Sequence, residues 1–280
     1  MTDRQDLLAI AIEVAEEAAA LLAKGYRSRP RADKKGRKDL VTEFDRASEA
    51  LLVDRLRERT PGIPIVGEEG SGVADEPRSG PVWYVDPLDG TTNFVHGHPF
   101  YCVSVGLLWD DYPAVGAVVA PALATRWTGL VDDAGRSEAR RNGEPCGVSM
   151  IDDLIDSLIA TGFSPSGDGP GDNFEAYMRV KRAAQGVRRC GSAALDLCLV
   201  ADGTYEAYWE RRLHTWDVAA GAAIALAAGA RVTALAGGPT DWHVGRIVAS
   251  NGLVHRALVA QIADPQSGEP RGDERASSLL

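Results

Sequence analysis

Hydrophobic residues recur at helical spacing in the first sixty residues of the chain. An apolar series with three- or four-residue steps begins at Leu7 and ends at Gly25, which predicts a first helix. A second helix is expected from near Thr42 to Pro61. Residues 27–38 between them are strongly basic and lack apolar periodicity, so they are expected to form either a solvated loop or a mobile flap facing an anionic ligand.

From residue 63 to residue 131 the period shortens to that of β-strands. Glycine, proline and aspartate separate short runs of apolar, β-branched and aromatic residues, and these runs are expected to be strands. The predicted strands are 63–66, 82–85, 101–108, 114–119 and 126–131. The connection at 109–112 is short enough for a hairpin, so much of this sheet should be antiparallel.

Helices and strand-like runs alternate in the second half of the chain. The helices are expected at about 173–185, 192–202, 216–228 and 253–262, and the strand-like runs at 158–160, 205–209, 232–235 and 247–248. The polar stretch 136–145 is a candidate boundary. We therefore expect an N-terminal α+β domain over 1–144, a C-terminal α/β domain over 145–263, and a polar, disordered tail over 264–280.

Composition and charge narrow the class of protein. The 280 residues include 40 acidic and 30 basic ones, which gives a formal net charge of −10 and argues against nucleic acid or an anionic membrane as the main partner. The N-terminus is polar and of mixed charge, unlike a signal peptide. The longest nearly uncharged run, Val218 to Ala230, is shorter than the ~20 residues that span a bilayer, so a cytoplasmic protein is expected.

Several kinds of chemistry have no support in the sequence. The chain has no GxxxxGK[ST] phosphate-binding loop and no G-x-S-x-G nucleophile turn. The cysteines match no zinc-binding spacing and are expected to be reduced structural thiols. They are Cys102, Cys146, Cys190 and Cys198.

The segment VWYVDPLDGTTNF, residues 82–94, carries the strongest chemical signal. An apolar strand is expected to end at Asp86, Pro87 to turn the chain, and Asp89 to follow three residues later. Two carboxylates on one tight turn, with the Leu88 carbonyl beside them, could bind hard cations. Gly90 allows close backbone approach, and the N–H groups at the start of the following helix are suited to a phosphate oxygen.

Other acids could complete a cation site. Glu68 and Glu69 follow a predicted strand, and Asp217 opens the alanine-rich helix. Asp45 fits a helix-capping box with Thr42, so it could be structural instead. An all-oxygen ligand set favours Mg²⁺ or Mn²⁺ over zinc.

These segments together resemble one family. GEE at 67–69, DPLDGTTNF at 86–94 and WDVAAG at 216–221 are similar to the signatures of the inositol monophosphatase family, which are lithium-sensitive, Mg²⁺-dependent phosphomonoesterases. DLVTEFD at 39–45 and GSAALDLCLVADG at 191–203 also fit, and the resemblance runs from about residue 5 to about residue 262. It implies a layered αβαβα sandwich of the inositol monophosphatase/fructose-1,6-bisphosphatase type, and a homodimer.

The resemblance also implies roles for individual residues. The ligands of two or three Mg²⁺ ions, for which Mn²⁺ could substitute, would be Glu68, Asp86, the Leu88 carbonyl, Asp89 and Asp217. The residues that orient and activate the attacking water would be Asp45 and Thr91, with Glu68 and Glu69 beside the metal-bound solvent. The residues on the phosphate or the alcohol would be Asp89, Gly90, Thr91, Gly191, Ser192, Ala193, Glu210 and Asp217, with Lys34 in a mobile flap.

The substrate is a small phosphate monoester on this resemblance, and inositol 1-phosphate is the first choice. Thr92-Asn93-Phe94 is similar to the inositol monophosphatase branch rather than to the nucleotide-phosphatase or classical fructose-bisphosphatase branches. A histidinol phosphatase, or a broad sugar-phosphate or fructose-1,6-bisphosphatase of the same family, is an alternative. A regulatory protein that keeps the fold and binds a partner is an alternative of another class.

Overall fold

The computed structural model describes residues 3–36, 39–70, 77–132, 137–163 and 173–263, and the expected tail at 264–280 lies outside them. The helices are α1 (Arg4–Gly25), α2 (Glu43–Arg59), α3 (Thr91–His96), α4 (Phe174–Ala183), α5 (Ala193–Ala201), α6 (Thr215–Ala227) and α7 (His255–Ile262). The strands are β1 (Ala32–Lys34), β2 (Leu40–Thr42), β3 (Ile65–Gly67), β4 (Pro81–Asp89), β5 (Cys102–Trp109), β6 (Tyr112–Ala120), β7 (Thr125–Val131), β8 (Ser137–Arg141), β9 (Glu144–Pro145), β10 (Leu158–Thr161), β11 (Gly186–Arg188), β12 (Ala207–Arg211), β13 (Arg231–Thr233) and β14 (Arg246–Ser250).

Strands β3 to β9 form one seven-stranded sheet in chain order. Only the β3–β4 pair of this sheet is parallel, within the residues that the structure describes. The expected hairpin joins β5 to β6 through Asp110 and Asp111, whose φ values of 49° and 61° are those of a two-residue turn that matches strand twist. The predominantly antiparallel sheet predicted from the sequence is therefore confirmed.

Helices cover both faces of this sheet. The apolar sides of α1 and α2 pack on one face around Leu7, Leu22, Leu52 and Trp83. The alanine-rich α6 and its neighbour α5 cover the other face and share a core with the second sheet. Each of these faces removes a continuous apolar surface from water, which is the main term that stabilises the layers.

A row of three glycines lets α6 lie close to the sheet. Gly106, Gly116 and Gly129 are cross-strand partners on β5, β6 and β7. A Cβ atom at any of them would come within 2.2 to 2.5 Å of the α6 backbone at Ala220 or Ile224. The small residues on both surfaces therefore fix how closely the helix approaches, and α6 carries Asp217 at its start.

The second sheet has five strands in the order β11-β10-β12-β14-β13. Its outer face packs against α4 and α7 around Val180, Trp209 and Leu258. Proceeding through the molecule, the layers are α1/α2, the large sheet, α5/α6, the small sheet and α4/α7. The αβαβα sandwich implied by the family resemblance is thus confirmed.

Polar strands account for the elements that hydrophobic periodicity does not predict. The basic stretch after α1 contains β1, which pairs with β2 as a small antiparallel ribbon. The proposed boundary at 136–145 contains β8 and β9, which extend the large sheet at its edge. An edge strand faces water and has little apolar signal, so its sequence resembles that of a loop. The division at residue 144 stays a prediction.

The four cysteines are free thiols, as expected. No helix in the described parts of the chain combines the length and the apolar character needed to cross a membrane.

Candidate active site

Asp45 lies at the start of α2 and faces Thr91 at the start of α3. Its Oδ2 accepts hydrogen bonds from the Thr42 backbone N–H at 2.7 Å and from Thr42 Oγ1 at 2.6 Å, which closes the predicted capping box. Its Oδ1 accepts a hydrogen bond from Thr91 Oγ1 at 2.8 Å. Burial raises the pKa of Asp45 and these hydrogen bonds lower it. Asp45 therefore caps the helix and also holds the Thr91 hydroxyl.

Strand β4 continues through Asp86 and Asp89 instead of ending at Asp86. Asp86 pairs with Ser104 and Asp89 with Cys102, so three steps on β4 face two on β5 and form a β-bulge. The expected turn at Pro87 is therefore wrong, because a bulge accommodates a residue without an N–H within the strand. Within the bulge, the Leu88 N–H donates to Asp86 Oδ1 at 3.0 Å.

Helix α2 contacts the bulge through a buried hydrogen bond. Ser48 Oγ donates to the Pro87 carbonyl at 2.8 Å, and both groups are buried. The Leu88 carbonyl oxygen lies 3.1 Å from Thr91 Oγ1. These contacts hold the backbone oxygen that was predicted as a ligand next to the Asp45–Thr91 pair.

Gly90 separates the bulge from α3 and must be glycine for two reasons. Its φ of 97° is in the left-handed region, where a side chain is strained. A Cβ atom there would also lie 2.9 Å from the Phe100 carbonyl oxygen. The predicted helix start at Thr91 is confirmed, and α3 ends at Gly97 with a second left-handed glycine.

Asp89 joins the two halves of the chain. Its Oδ2 accepts hydrogen bonds from Ser192 Oγ at 2.7 Å and from the Ala194 N–H at 2.8 Å, at the start of α5. Burial raises the pKa of Asp89 to about 6, against the lowering effect of these two donors. The Gly191-Ser192-Ala193 segment is thus held against the metal-binding half of the predicted site.

Asn93 makes a second connection to the same segment. Its Nδ2 donates to the Phe100 carbonyl at 2.6 Å and to the Cys190 carbonyl at 2.8 Å. The DGTTN sequence therefore places the backbone at 190–191 through Asn93, a role that its position in the motif does not reveal.

Glu68 and Glu69 follow β3 and contact Lys35, which lies in the bend after β1. Lys35 Nζ lies 3.0 Å from Glu68 Oε1 and also forms an ion pair with Glu69. Burial raises the pKa of Glu69, and Lys35 lowers it. The Glu69 N–H donates to Glu49 Oε2 at 2.7 Å, so the buried Glu49 on α2 holds the start of this acidic turn.

Lys34 and Lys35 differ in their placement. Lys34 is an exposed residue of β1. Its neighbour Lys35, in the bend that follows β1, is the residue that contacts the two glutamates. The role of Lys34 in a flap stays a prediction.

Asp217 enters the site from the C-terminal half, at the third position of α6. Its Oδ2 accepts a hydrogen bond from the His214 N–H at 2.7 Å. Burial raises the pKa of Asp217 well above its usual range, and the charges of Asp89 and Glu68 raise it further.

Glu210 lies near the end of β12, where the charges of Arg189 and Asp89 act on its carboxyl group. Its Oε2 accepts a hydrogen bond from the Tyr208 hydroxyl at 2.7 Å. Burial raises the pKa of Glu210 to about 7. A carboxyl group with that pKa can accept or donate a hydrogen bond near neutral pH, as recognition of a hydroxyl group requires.

Asp196 on α5 is a buried acid that sequence reasoning missed. It is 1% exposed, and its Oδ1 has no hydrogen-bond partner among the described residues. Burial raises its pKa well above the usual range, and the charges of Glu210 and Asp89 raise it further. The available signal was a single acid within the apolar run ALDLCLV.

The carboxylates of this site affect one another strongly. Burial raises the pKa of Asp86 well above its usual range, followed by the charges of Glu68, Asp89 and Asp217. At an effective dielectric of ~20, two like charges ~4 Å apart repel by about 4 kcal/mol. Ionising all of these acids together is therefore unfavourable unless a cation compensates their charge.

The donor chemistry fits hard divalent cations. The neighbouring groups are carboxylates and a backbone carbonyl, which Mg²⁺ and Mn²⁺ accept and zinc does not prefer. Within the described ranges, no three acidic, histidine or cysteine side chains converge closely enough to define a metal site by themselves. The fit accordingly rests on the buried and mutually repelling acids.

Comparisons with known proteins agree on one family. Residues 3–267 match the family described as "Inositol monophosphatase family". An inositol-1-monophosphatase of Synechocystis is 39% identical over 99% of this chain and 96% of its own length. A Pseudomonas aeruginosa protein named Nus factor SuhB is 37% identical over 92% of this chain and 96% of its own length. An inositol monophosphatase structure from Anabaena (Nostoc) has a TM-score of 0.84 and 36% identity, covering 95% of this chain and 99% of that chain.

Proposed function

The chain belongs to the inositol monophosphatase family and is a phosphoric monoester hydrolase, and we propose that it removes phosphate from a small phosphorylated polyol, inositol 1-phosphate first. The single observation that carries the proposal is the contact of Asp89 with Ser192 and Ala194. This contact joins the acidic half of the site to the segment that would hold the alcohol. A substrate with phosphate on one side and hydroxyl groups on the other fits that arrangement.

Two or three Mg²⁺ ions would be held by Glu68, Asp86, the Leu88 carbonyl, Asp89 and Asp217, and Mn²⁺ would substitute for them. Bound there, such ions supply a more acidic water molecule and neutralise negative charge on the phosphoryl and leaving oxygens. With two ions the formal charge becomes −10 + 4 = −6, and with three it becomes −10 + 6 = −4. Part of the acidity of the chain would therefore serve cation binding.

Asp45 and Thr91 would prepare the nucleophile. The Thr91 hydroxyl donates its proton to Asp45 Oδ1, so its oxygen lone pairs can accept a hydrogen bond from a water molecule. Asp45 is buried and its pKa is raised, which favours uptake of a proton that arrives through Thr91. Glu69, held by Glu49 and Lys35, would orient solvent on the same side, together with Glu68.

The phosphate and the alcohol would be bound on opposite sides of Asp89. The backbone N–H groups of Gly90 and Thr91 would donate to phosphate oxygens, because Gly90 keeps that stretch open to close approach. Gly191, Ser192, Ala193 and Glu210 would contact hydroxyl groups of the polyol. The raised pKa of Glu210, about 7, suits this hydrogen-bonding role.

A phosphate-release panel tests the proposal. The substrates are inositol 1-phosphate, histidinol phosphate, fructose 1,6-bisphosphate, 3′-phosphoadenosine 5′-phosphate and NADP, each measured with Mg²⁺, without it, and with added Li⁺. We expect the highest kcat/KM for inositol 1-phosphate, dependence on Mg²⁺, and inhibition by Li⁺. A higher value for histidinol phosphate or the bisphosphate would instead support one of the two alternative substrates.

One relative favours a second candidate of another class. The Pseudomonas aeruginosa relative carries the name Nus factor SuhB, which suggests a regulatory protein that retains the fold and binds a partner. In that case no monoester in the panel would be hydrolysed at a rate above the Asp89→Asn variant. A homodimer, a cytoplasmic location, the absence of nucleic-acid and membrane partners and the division at residue 144 stay predictions of the same proposal.

A further inference from the structure

A histidine outside the acidic site connects the two halves of the molecule. His243 lies in the loop between β13 and β14, and its Nε2 is 2.6 Å from Asp111 Oδ1. Asp111 belongs to the two-residue turn between β5 and β6, so the contact spans 132 positions of sequence. Because a carboxylate only accepts, Nε2 carries the proton in this bond.

The other ring nitrogen of His243 faces the start of α6. Its Nδ1 lies 3.4 Å from Oγ1 of Thr215, the first residue of that helix. The Leu213 N–H donates to the Gly245 carbonyl at 3.0 Å, which adds a second connection between the same two segments. The helix start is thus fastened to the loop that contains His243.

His243 also packs close to the strand that carries the acids. Its ring meets the edge of Tyr84 on β4, with the ring centroids 6.1 Å apart. Tyr84 and Asp86 are two residues apart on one strand, so their side chains emerge on the same face. The histidine therefore lies one pleat away from a predicted metal ligand.

We propose that Asp111, His243 and Thr215 form a positioning relay that fixes the start of α6, and with it Asp217, over the strand that carries Asp86 and Asp89. The inference rests on the proposed function, because it concerns the same acidic site. The hydrogen bond from His214 to Asp217 is local to the first turn of α6 and does not set the position of the helix over the sheet. The contacts of His243 instead connect the start of α6 to the turn between β5 and β6.

The contacts of His243 would oppose the electrostatic repulsion between Asp217 and the other acids of the site. Asp217, Asp89 and Glu68 repel one another, and Asp217 is the member that arrives from the C-terminal half. Repulsion would move the start of α6 away from β4 in the absence of cations. A relay that holds this end of the helix keeps the acids close enough to receive them, as residues behind metal ligands do in many proteins.

Three variants and one control isolate the relay. His243→Phe keeps a ring against Tyr84 and removes both hydrogen bonds. Thr215→Val removes only the hydroxyl at nearly constant volume. Asp111→Asn keeps an oxygen that accepts from Nε2, and asparagine tolerates the φ of 61° at this position. Asp110→Asn is the control, because it makes the same change at the other residue of the turn, where Asp110 Oδ1 accepts a hydrogen bond from the Gly80 N–H at 2.7 Å.

The first readout is Mn²⁺ binding by calorimetry on the full chain. We expect His243→Phe to weaken binding by about tenfold, Thr215→Val by less, and Asp111→Asn and Asp110→Asn by less than about twofold. At saturating metal, KM for the phosphate monoester should stay near the wild-type value. If the variants bound Mn²⁺ more weakly only because they misfold, kcat and the midpoint of thermal unfolding would also fall. The weakening would then not follow the order His243→Phe, Thr215→Val, Asp111→Asn.

The second readout does not need metal. Hydrogen exchange in the peptide that covers residues 213–221 should be faster in His243→Phe than in the wild type, and it should stay slow in Asp111→Asn. Unchanged exchange and unchanged Mn²⁺ binding in His243→Phe would overturn the relay. If the wild type binds no Mn²⁺, the proposed function fails, and the exchange measurement still decides the relay.

Discussion

Two buried polar regions of this molecule differ in how their hydrogen-bonding groups are satisfied. His255, in the outer part of the C-terminal half, is 2% exposed and has a hydroxyl partner on each ring nitrogen. These partners are Thr233 Oγ1 at 2.9 Å and Ser250 Oγ at 2.8 Å. The acidic site instead gathers carboxylates that raise one another's pKa. A buried cluster that is satisfied by its own chain is structural, whereas one with an excess of like-charged acceptors indicates a ligand.

The Asp89→Asn substitution should show the largest difference between the acidic site and the His255 region. We expect Asp89→Asn to lower phosphate release more than about a hundredfold, because the amide is a poor ligand and cannot replace the lost charge. The fold should persist, since an amide oxygen can still accept from Ser192 and Ala194. Release of inorganic phosphate and circular dichroism measure the two effects.

The matched control for that experiment is Asp54→Asn, an exposed aspartate on α2. It should leave both the rate and the unfolding midpoint unchanged. Near-normal phosphate release in Asp89→Asn would show that the metal assignment is wrong.

Replacing His255 should instead lower the stability of the protein and leave its activity nearly unchanged. His255→Leu leaves two buried hydroxyl groups without the ring nitrogens, so we expect the free energy of unfolding to fall by about 2 kcal/mol. The value of kcat at saturating metal should stay within about twofold of the wild type, because no predicted site residue contacts His255 among the described residues. Urea unfolding and the phosphate assay would measure these quantities. A large loss of kcat in a folded protein would contradict the separation of the two regions.

The third prediction concerns Mg²⁺ and pH. The pKa of Asp89 is raised to about 6, so the native state binds more protons than the unfolded state above the usual aspartate pKa of 3.8. Without metal, this region should lose stability as the pH rises from about 4 to about 6.5. Since cations stabilise the ionised acids, the rise in the unfolding midpoint caused by Mg²⁺ should be larger at pH 7 than at pH 5.

Differential scanning calorimetry with and without Mg²⁺ checks that prediction, and Asp89→Asn is its control. The variant should show a smaller Mg²⁺ effect at both pH values. An Mg²⁺ effect that is independent of pH in the wild type would contradict a site made of carboxylates with raised pKa.

The smallest expected effect is the pH response of the histidine region, and its sign is opposite. Burial lowers the pKa of His255 to about 4, below the usual value of 6.5. The unfolded state therefore binds more protons between these values, and this region contributes stability that is lost as the pH falls from about 6.5 to about 4. We expect this pH-dependent loss to be absent from His255→Leu. If the free energy of unfolding depended on pH equally in the wild type and in His255→Leu, His255 would not make this contribution.

The elements that carry the site follow well from the sequence, while the contacts between them do not. The capping box at Thr42 and Asp45 is visible in four residues, and the structure shows that Asp45 also faces Thr91. The bond from Ser192 to Asp89 joins positions 103 residues apart, and no local spacing encodes it. Long-range partners of this kind depend on how the layers pack.

Backbone detail at the acidic motif shows the same limit. Asp-Pro is typical of a turn, yet here β4 continues through Pro87, because β5 accepts a bulge beside it. Strand β11 was equally hidden, since Gly186–Arg188 has only one apolar side chain and lies at the edge of its sheet. In both places the neighbouring strand decides the local structure.

Direct titration of the purified chain with Mn²⁺ by calorimetry tests the central claim most directly. We expect two or three ions to bind per chain, with fewer ions or much weaker binding in Asp89→Asn and Asp217→Asn and no change in Asp54→Asn. A folded wild-type chain that binds no divalent cation would contradict the assignment of the buried acids to a metal site.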